Sequence, residues 1–308
     1  MEPSLAVVVP LFNHELFIEE ALKSVLENSV SVSEIILIDD GSKDDGLRIA
    51  TQFAENEPKI KIISNANQGA PATINEAISI SNSKWIAILN SDDRFSPTKI
   101  EHCMEIAFNN PDVSFIAGGI NFIDVHGNSL EEIVQTDWYE RATSIYRQTG
   151  NLFVSLLEEN FLVTTSNFVF TRDLWHSLGG FNDLRYCHDL DFALRAMKSF
   201  EVFVDLGYIH VEYRIHEKNT IAENIENIRL ERCIVLIYHA LHYGLSRANI
   251  VSKFLFRLKF KSIIKRHRFS DAHNFFKDLY ESGDSLSEFQ KKCLERLLLE
   301  APDLNLRF

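Results

Sequence analysis

Two carboxylates one residue apart, Asp189 and Asp191, head an amphipathic run, His-Asp-Leu-Asp-Phe-Ala-Leu-Arg over 188–195, just beyond a Gly-Gly-Phe turn at Gly179 to Phe181. A carboxylate at such a helix start can take a proton from a hydroxyl group. Two more acidic clusters follow apolar runs: Asp39-Asp40-Gly41-Ser42 after Ile35 to Ile38, and Asn90-Ser91-Asp92-Asp93 after Trp85 to Leu89. The adjacent carboxylates Asp92 and Asp93 repel unless a cation or a hydrogen-bond network compensates them. Oxygen ligands of this kind suit Mg²⁺ or Mn²⁺ bridging a carboxylate to substrate phosphates; the plain alternative is that they cap a turn. Asp39 can accept hydrogen bonds from ribose hydroxyls or a base N–H, or cap the next helix alongside Ser42 and Asp44. The combined expectation is a metal, a polyphosphate and a general base.

These clusters need strands to carry them. Short, almost continuously apolar runs at Leu5 to Val9, Ile35 to Ile38, Ile60 to Ile63 and Trp85 to Leu89 read as parallel strands covered on both faces. Helical spacing in Leu16, Ile18, Ala21, Leu22, Val25 and Leu26, and again in Ala72, Ile74, Ala77 and Ile78, places helices between them. This order predicts a doubly wound, Rossmann-like α/β sheet over residues 1–95, with ligands at the carboxyl ends of its strands. Pro10 ends the first strand, and a planar base can pack on Phe12 beyond it. Ser96-Pro97 predicts a helix running to Asn109. Strands are expected at Val113 to Ala117, Asn121 to Asp124, Thr165 to Phe170, Val202 to Val204 and Ile209 to Arg214, broken by a polar, aromatic stretch over 138–148. Residues 96–218 thus form a mixed-sheet half for a second substrate, and 219–308 a C-terminal helical region.

The chain has 308 residues, 45% of them hydrophobic, with a formal net charge of −13. That balance excludes nucleic acid as the main partner, because duplex binding draws on Lys and Arg. The four cysteines form no metal or disulfide spacing. Without a signal-peptide pattern or an 18-residue apolar run, a cytoplasmic location is expected.

Seven segments in order resemble the motifs of family 2 glycosyltransferases. They are Val-Val-Val-Pro-Leu-Phe-Asn at 7–13, Ile-Asp-Asp-Gly-Ser-Lys-Asp at 38–44, Asn-Gln-Gly at 67–69 with Asn75, Leu-Asn-Ser-Asp-Asp at 89–93, Gly-Gly-Phe at 179–181, His-Asp-Leu-Asp at 188–191 and Tyr-Arg-Ile-His at 213–216. The resemblance spans about residues 4 to 220. It implies a GT-A fold, a nucleotide-sugar donor of the UDP-linked kind, and transfer with inversion to a glycan or lipid-linked acceptor. Pro10, Leu11, Phe12, Asp39, Asn67 and Asp92 match nucleotide-binding positions; Asp92, Asp93 and His216 match the surroundings of an Mn²⁺ or Mg²⁺ ion. Asp189 matches the base, and His188 and Asp191 fall where the acceptor would bind. Three departures stand out: Asn90 for the first Asp of the D-x-D pattern, His188 for a Glu before the base, and Ile74 for an Arg. A non-catalytic sugar-nucleotide binding module and a nucleotidyltransferase are the rival readings. Finally, Arg247 to Arg268 carries eight basic and no acidic residues among Phe and Leu, which fits either peripheral membrane contact or packing on the catalytic domain.

Overall fold

The computed structural model describes residues 4–28, 32–130, 134–219, 225–246, 279 and 284–300. The basic stretch from Arg247 to Arg268 lies outside the described residues. Among the described residues eight strands form one sheet: β1 (Leu5–Leu11), β2 (Glu34–Asp39), β3 (Ile60–Ser64), β4 (Trp85–Ile88), β5 (Arg94–Phe95), β6 (Val113–Ile123), β7 (Val169–Thr171) and β8 (Glu201–Arg214), in the order β3-β2-β1-β4-β7-β6-β8-β5. The first four are parallel, with Val7 beside Ile35 and Ala87. Strand β7 then runs antiparallel between β4 and β6, and β6 and β8 pair in parallel. This mixed α/β sheet is the architecture that the resemblance to family 2 glycosyltransferases implies.

Helices α1 (Ile18–Glu27), α2 (Gly46–Ala54), α3 (Ala70–Ile80) and α4 (Lys99–Asn109) connect the early strands. Their apolar stripes cover the sheet on both sides, which is why every residue of β4 and nearly every residue of β1 is buried. Further on come α5 (Val134–Thr149), α6 (Leu152–Glu158), α7 (Arg172–Leu178), α8 (His188–Ser199), α9 (Ile225–Ser246) and α10 (Leu286–Glu300). The polar, aromatic stretch over 138–148 is therefore helix, within α5. Among the described residues, no helix is long and apolar enough to cross a membrane.

Four local expectations need correction. Helix α4 begins at Lys99 rather than Ser96, after Thr98 in a left-handed conformation at φ 64°. The two strands expected over 113–124 are one, and so are the two over 202–214, joined through a register shift at Gly118 and Gly119. Gly118 has no room for a side chain, because a Cβ there would lie 2.3 Å from Cγ of His210. Residues Thr165–Asn167 form a 3-10 turn instead of strand, capped by Thr164, whose hydroxyl accepts from Ser166 N.

Candidate active site

The loops after the parallel strands are tied into one surface. Asn13 N donates to Ser42 Oγ at 3.0 Å, and Asn13 Oδ1 accepts from Lys43 N at 2.7 Å. Asp40 accepts from Gln68 N at 2.8 Å, Gly69 N at 2.9 Å and Asn67 Nδ2 at 3.1 Å, so it shapes the loop after β3. Gly41, at φ +76°, leaves room for Asn67 N, which a Cβ would approach to 2.9 Å. Asp39 is buried and accepts from Ser42 N and Ser64 Oγ. Of the residues expected around the nucleoside, Phe12 is 43% exposed and Pro10 half-buried. The Leu11 side chain points into the core, and the Asn67 amide is engaged with Asp40.

Strands β1 and β4 are neighbours, and this brings the loops after them together. His14 Nε2 lies 3.7 Å and His216 Nε2 3.1 Å from Asp92 Oδ2. One ligand atom from each of the three residues falls within 4.8 Å of the other two. Ser91 Oγ, 2.8 Å from His14 Nδ1, orients that ring. Lys218 N donates to His216 Nδ1, so His216 Nε2 carries the proton and donates to Asp92. Burial pushes the Asp92 carboxyl up, but His14 and then His216 outweigh it and hold the pKa below the usual carboxylate value.

Asp93 does not join this group, contrary to its expected place beside a metal. Its Oδ2 accepts from Ser166 Oγ at 2.6 Å and Thr164 Oγ1 at 3.3 Å, and its Oδ1 from Arg214 N at 3.0 Å. Burial first, and Asp92 next, raise its pKa to about 8. Arg214 is fully buried and ties the D-x-D turn to its surroundings: Nε donates to the Asp92 carbonyl, Nη1 to Asp124 O and Nη2 to Glu20. Asn90 is held by Thr164 and Thr165, so the departure from Asp is absorbed by a hydroxyl network.

On the acceptor side, Asp189 lies in the first turn of α8, where the helix dipole and free N–H groups stabilise an anion. Asn160 Nδ2 donates to its Oδ2 at 2.8 Å. Burial nevertheless raises its pKa, with His188, the Leu190 amide and Asn160 pulling the other way. His188 is pushed down by burial and packs edge-on against Phe181 at 6.2 Å. Asp191 cannot meet an acceptor in this arrangement. It is fully buried, with Arg195, Asn182 and His239 on its oxygens at 2.7 to 2.9 Å. The Gly-Gly-Phe turn before α8 is fixed by Asn75, which accepts from Phe181 N and donates to Phe181 O, both at 2.8 Å. Tyr213, on β8, joins the two sides: burial, then Asp93, Asp92 and Asp189 in turn, raise the pKa of its phenol.

The family model described as Glycosyl transferase family 2 matches residues 6–176, more than half of the chain. This chain is a family 2 glycosyltransferase. Among curated relatives, the glycosyltransferase resembles YibD of Escherichia coli strain K12, described as an uncharacterized glycosyltransferase, at 27% identity over 56% of this chain and 53% of the relative. It also resembles the chondroitin synthase of Pasteurella multocida, at 24% identity over 76% of this chain and 23% of the relative. The chain spans about half, or less, of the length of the first curated relatives it matches. Among solved structures it superposes on S. aureus TarS in complex with UDP-GlcNAc with a TM-score of 0.64, at 16% identity, covering 96% of this chain and 79% of the other. A mannosyltransferase from Pyrobaculum calidifontis, in complex with GDP-Man and Mn²⁺, gives 0.56 at 15% identity over 99% and 77%. At these identities the likeness establishes the fold.

His14 and Asn160 were not singled out by their sequence patterns. His14 was within reach of the same reasoning, since it follows the strand that must lie beside the one ending at Asp92. Asn160 had no such signal, because the loop that carries it is placed by tertiary packing.

Proposed function

We propose that this glycosyltransferase moves a sugar from a UDP-linked donor to a hydroxyl of a glycan or lipid-linked acceptor, with inversion at the anomeric carbon. The supporting observation is the pair of unlike carboxylates around Tyr213: Asp92, kept ionised by two imidazoles, and Asp189, whose raised proton affinity suits it to accept a proton. Phe12 and Asp39 are read as the nucleoside end of the site. Asp92 and His216, with His14 added, are read as the holders of a divalent ion. With two imidazoles beside one carboxylate the group suits Mn²⁺ better than Mg²⁺, which holds to oxygen ligands and its own waters, and metal binding requires His216 to move its proton from Nε2. When bound, the ion would neutralise charge developing on the departing diphosphate.

The rest falls to the chain itself. Asn160 and the first turn of α8 aim Asp189, which takes the proton from the acceptor hydroxyl as that oxygen attacks. His188 lines the same approach. Residues 1–218 are read as the catalytic unit, and membrane contact through Arg247 to Arg268 stays part of the proposal on sequence grounds. Thermal-shift measurements with UDP-, GDP- and dTDP-sugars, with and without Mn²⁺, test the donor. A ligand that binds the native state alone raises the melting temperature by mass action. The expected result is a rise with a UDP-sugar plus Mn²⁺ that chelator removes; a rise confined to GDP- or dTDP-sugars overturns the assignment.

A further inference from the structure

Helix α9 lies wholly beyond the residues matched by the family model, yet three of its side chains close on the segments around Asp189. Glu231 is 1% exposed. Its Oε1 accepts from Tyr186 N and Cys187 N, each at 2.7 Å, and its Oε2 from Arg185 N at 3.1 Å. Three consecutive amides thus form a nest around one carboxylate, and they are the residues leading directly into the turn that carries His188 and Asp189. The next residue, Arg232, donates from Nη2 to the Glu159 carboxylate at 2.9 Å and to the Glu158 carbonyl at 3.4 Å. Asn160, the donor to Asp189, follows immediately. Two turns along, His239 holds Asp191 at 2.8 Å.

Packing α9 into the core needs only apolar side chains, and Cys233, Ile234, Leu236 and Ile237 supply them. Burying a carboxylate beside them carries a desolvation penalty, so its position calls for a use. Glu231 and Arg232, adjacent in sequence, grip the two loops that deliver the base and its hydrogen-bond partner. We propose that α9 is a clamp that fixes Asp189 against the acceptor hydroxyl, with Glu231 and Arg232 as its positioning residues. This rests on reading Asp189 as the base. A second consequence is electrostatic. The Glu231 charge faces Asp189 together with His188 and Asp191 of α8, Arg232 of α9 and Tyr213 of β8, and removing a nearby negative charge makes Asp189 easier to ionise.

The test is Glu231→Gln and Arg232→Gln in the full chain, read as release of UDP from a UDP-sugar with water taking the sugar in place of the acceptor hydroxyl, over a range of pH. Misplacement of a reacting group by about 1 Å can lower a rate on the order of a hundredfold. The expected result is kcat lower by about tenfold to a hundredfold in each variant, with UDP affinity within about twofold of the parent. In Glu231→Gln the acidic limb of the kcat/KM profile also moves to lower pH, and Arg232→Lys recovers part of the loss. Variants that melt earlier but keep the parent kcat and acidic limb would reduce α9 to a structural cover and overturn the clamp. Should Glu231→Gln fail to fold, Arg232→Gln, at a partly exposed site, decides by its kcat and the Lys rescue. Near-normal turnover in Asp189→Asn would sink the base assignment instead, and the two failures are separable.

Discussion

Asp92 and Asp189 carry opposite perturbations, although Asp189 is buried and Asp92 is largely shielded, and the difference lies in their neighbours. Asp92 faces two imidazoles, whereas Asp189 faces the single imidazole of His188 with the Asn160 amide and the end of a helix, and burial outweighs these. Replacing Asp189 by Asn keeps its shape and its place in the turn but removes the proton acceptor. Transfer should fall by about 10²- to 10⁴-fold while UDP affinity, by titration calorimetry, stays within about twofold. A variant near parent activity would discard the role. Asp92→Ala should abolish the Mn²⁺-dependent part of UDP binding, and His14→Ala should weaken it by a smaller factor. Equal Mn²⁺ dependence in the parent and in His14→Ala would remove His14 from the ion's surroundings. The carboxylates were legible in the sequence because Asp92 follows an apolar strand and Asp189 heads an amphipathic run beyond a glycine turn. Their protonation states were not, since those depend on His14 and Asn160, which the fold brings in from other loops.

Elements divide along the same physical line. Strands β1, β2 and β4 could be read directly because both their faces are buried and they form nearly unbroken apolar runs, and β3, interrupted by Lys61 at the sheet edge, could be read from its isoleucines. Strands β6 and β8 could not, since Gly118-Gly119 and the Asp205-Leu206-Gly207 stretch look like turns while serving as a register shift inside a continuous pair. The 3-10 turn at Thr165–Asn167 gives up ladder pairing so that Ser166 can reach Asp93 and Asn167 can bridge Gly118. At the Gly-Gly-Phe turn the sequence signal and the structure agree, and the two glycines differ in kind. Gly179, at φ +73°, has nothing within 4 Å of a Cβ, so Gly179→Ala should cost about 1–2 kcal/mol for the left-handed backbone alone. A Cβ on Gly180 would lie 2.6 Å from Asn75 Oδ1, so Gly180→Ala should cost more by breaking the Asn75 bonds to Phe181. Melting temperatures compared between the two variants check this; equal losses would mean that Asn75 does not hold the turn.

At the scale of the whole molecule, the buried carboxylates of the site couple stability to pH. Asp93 is held near pKa 8 in the folded state, against 3.8 for the free side chain. Between those values the folded chain binds a proton that the unfolded chain has lost, so this contribution is complete below about pH 4 and disappears as pH rises through about 8. Lys99, buried beneath the same turn and pushed down to about 7 by burial, acts in the opposite sense, but only from about pH 7 to 10.5. Asp92 and Asp191, both held low, act below about pH 4. His188 and His210, lowered by burial, favour folding as pH rises toward 6.5 and so mask the effect in the parent alone. The informative quantity is therefore the difference between the parent and Asp93→Asn, which mimics the protonated carboxyl and leaves those histidines in place. From pH 5 to 7, in chelator, the parent should lose stability relative to the variant by at most about 1.4 kcal/mol per pH unit, the slope for one proton. Denaturant titrations at each pH measure it. Parallel curves would show that Asp93 is ionised in the folded protein, and that Ser166, Thr164 and the Arg214 amide stabilise a buried anion rather than a neutral acid.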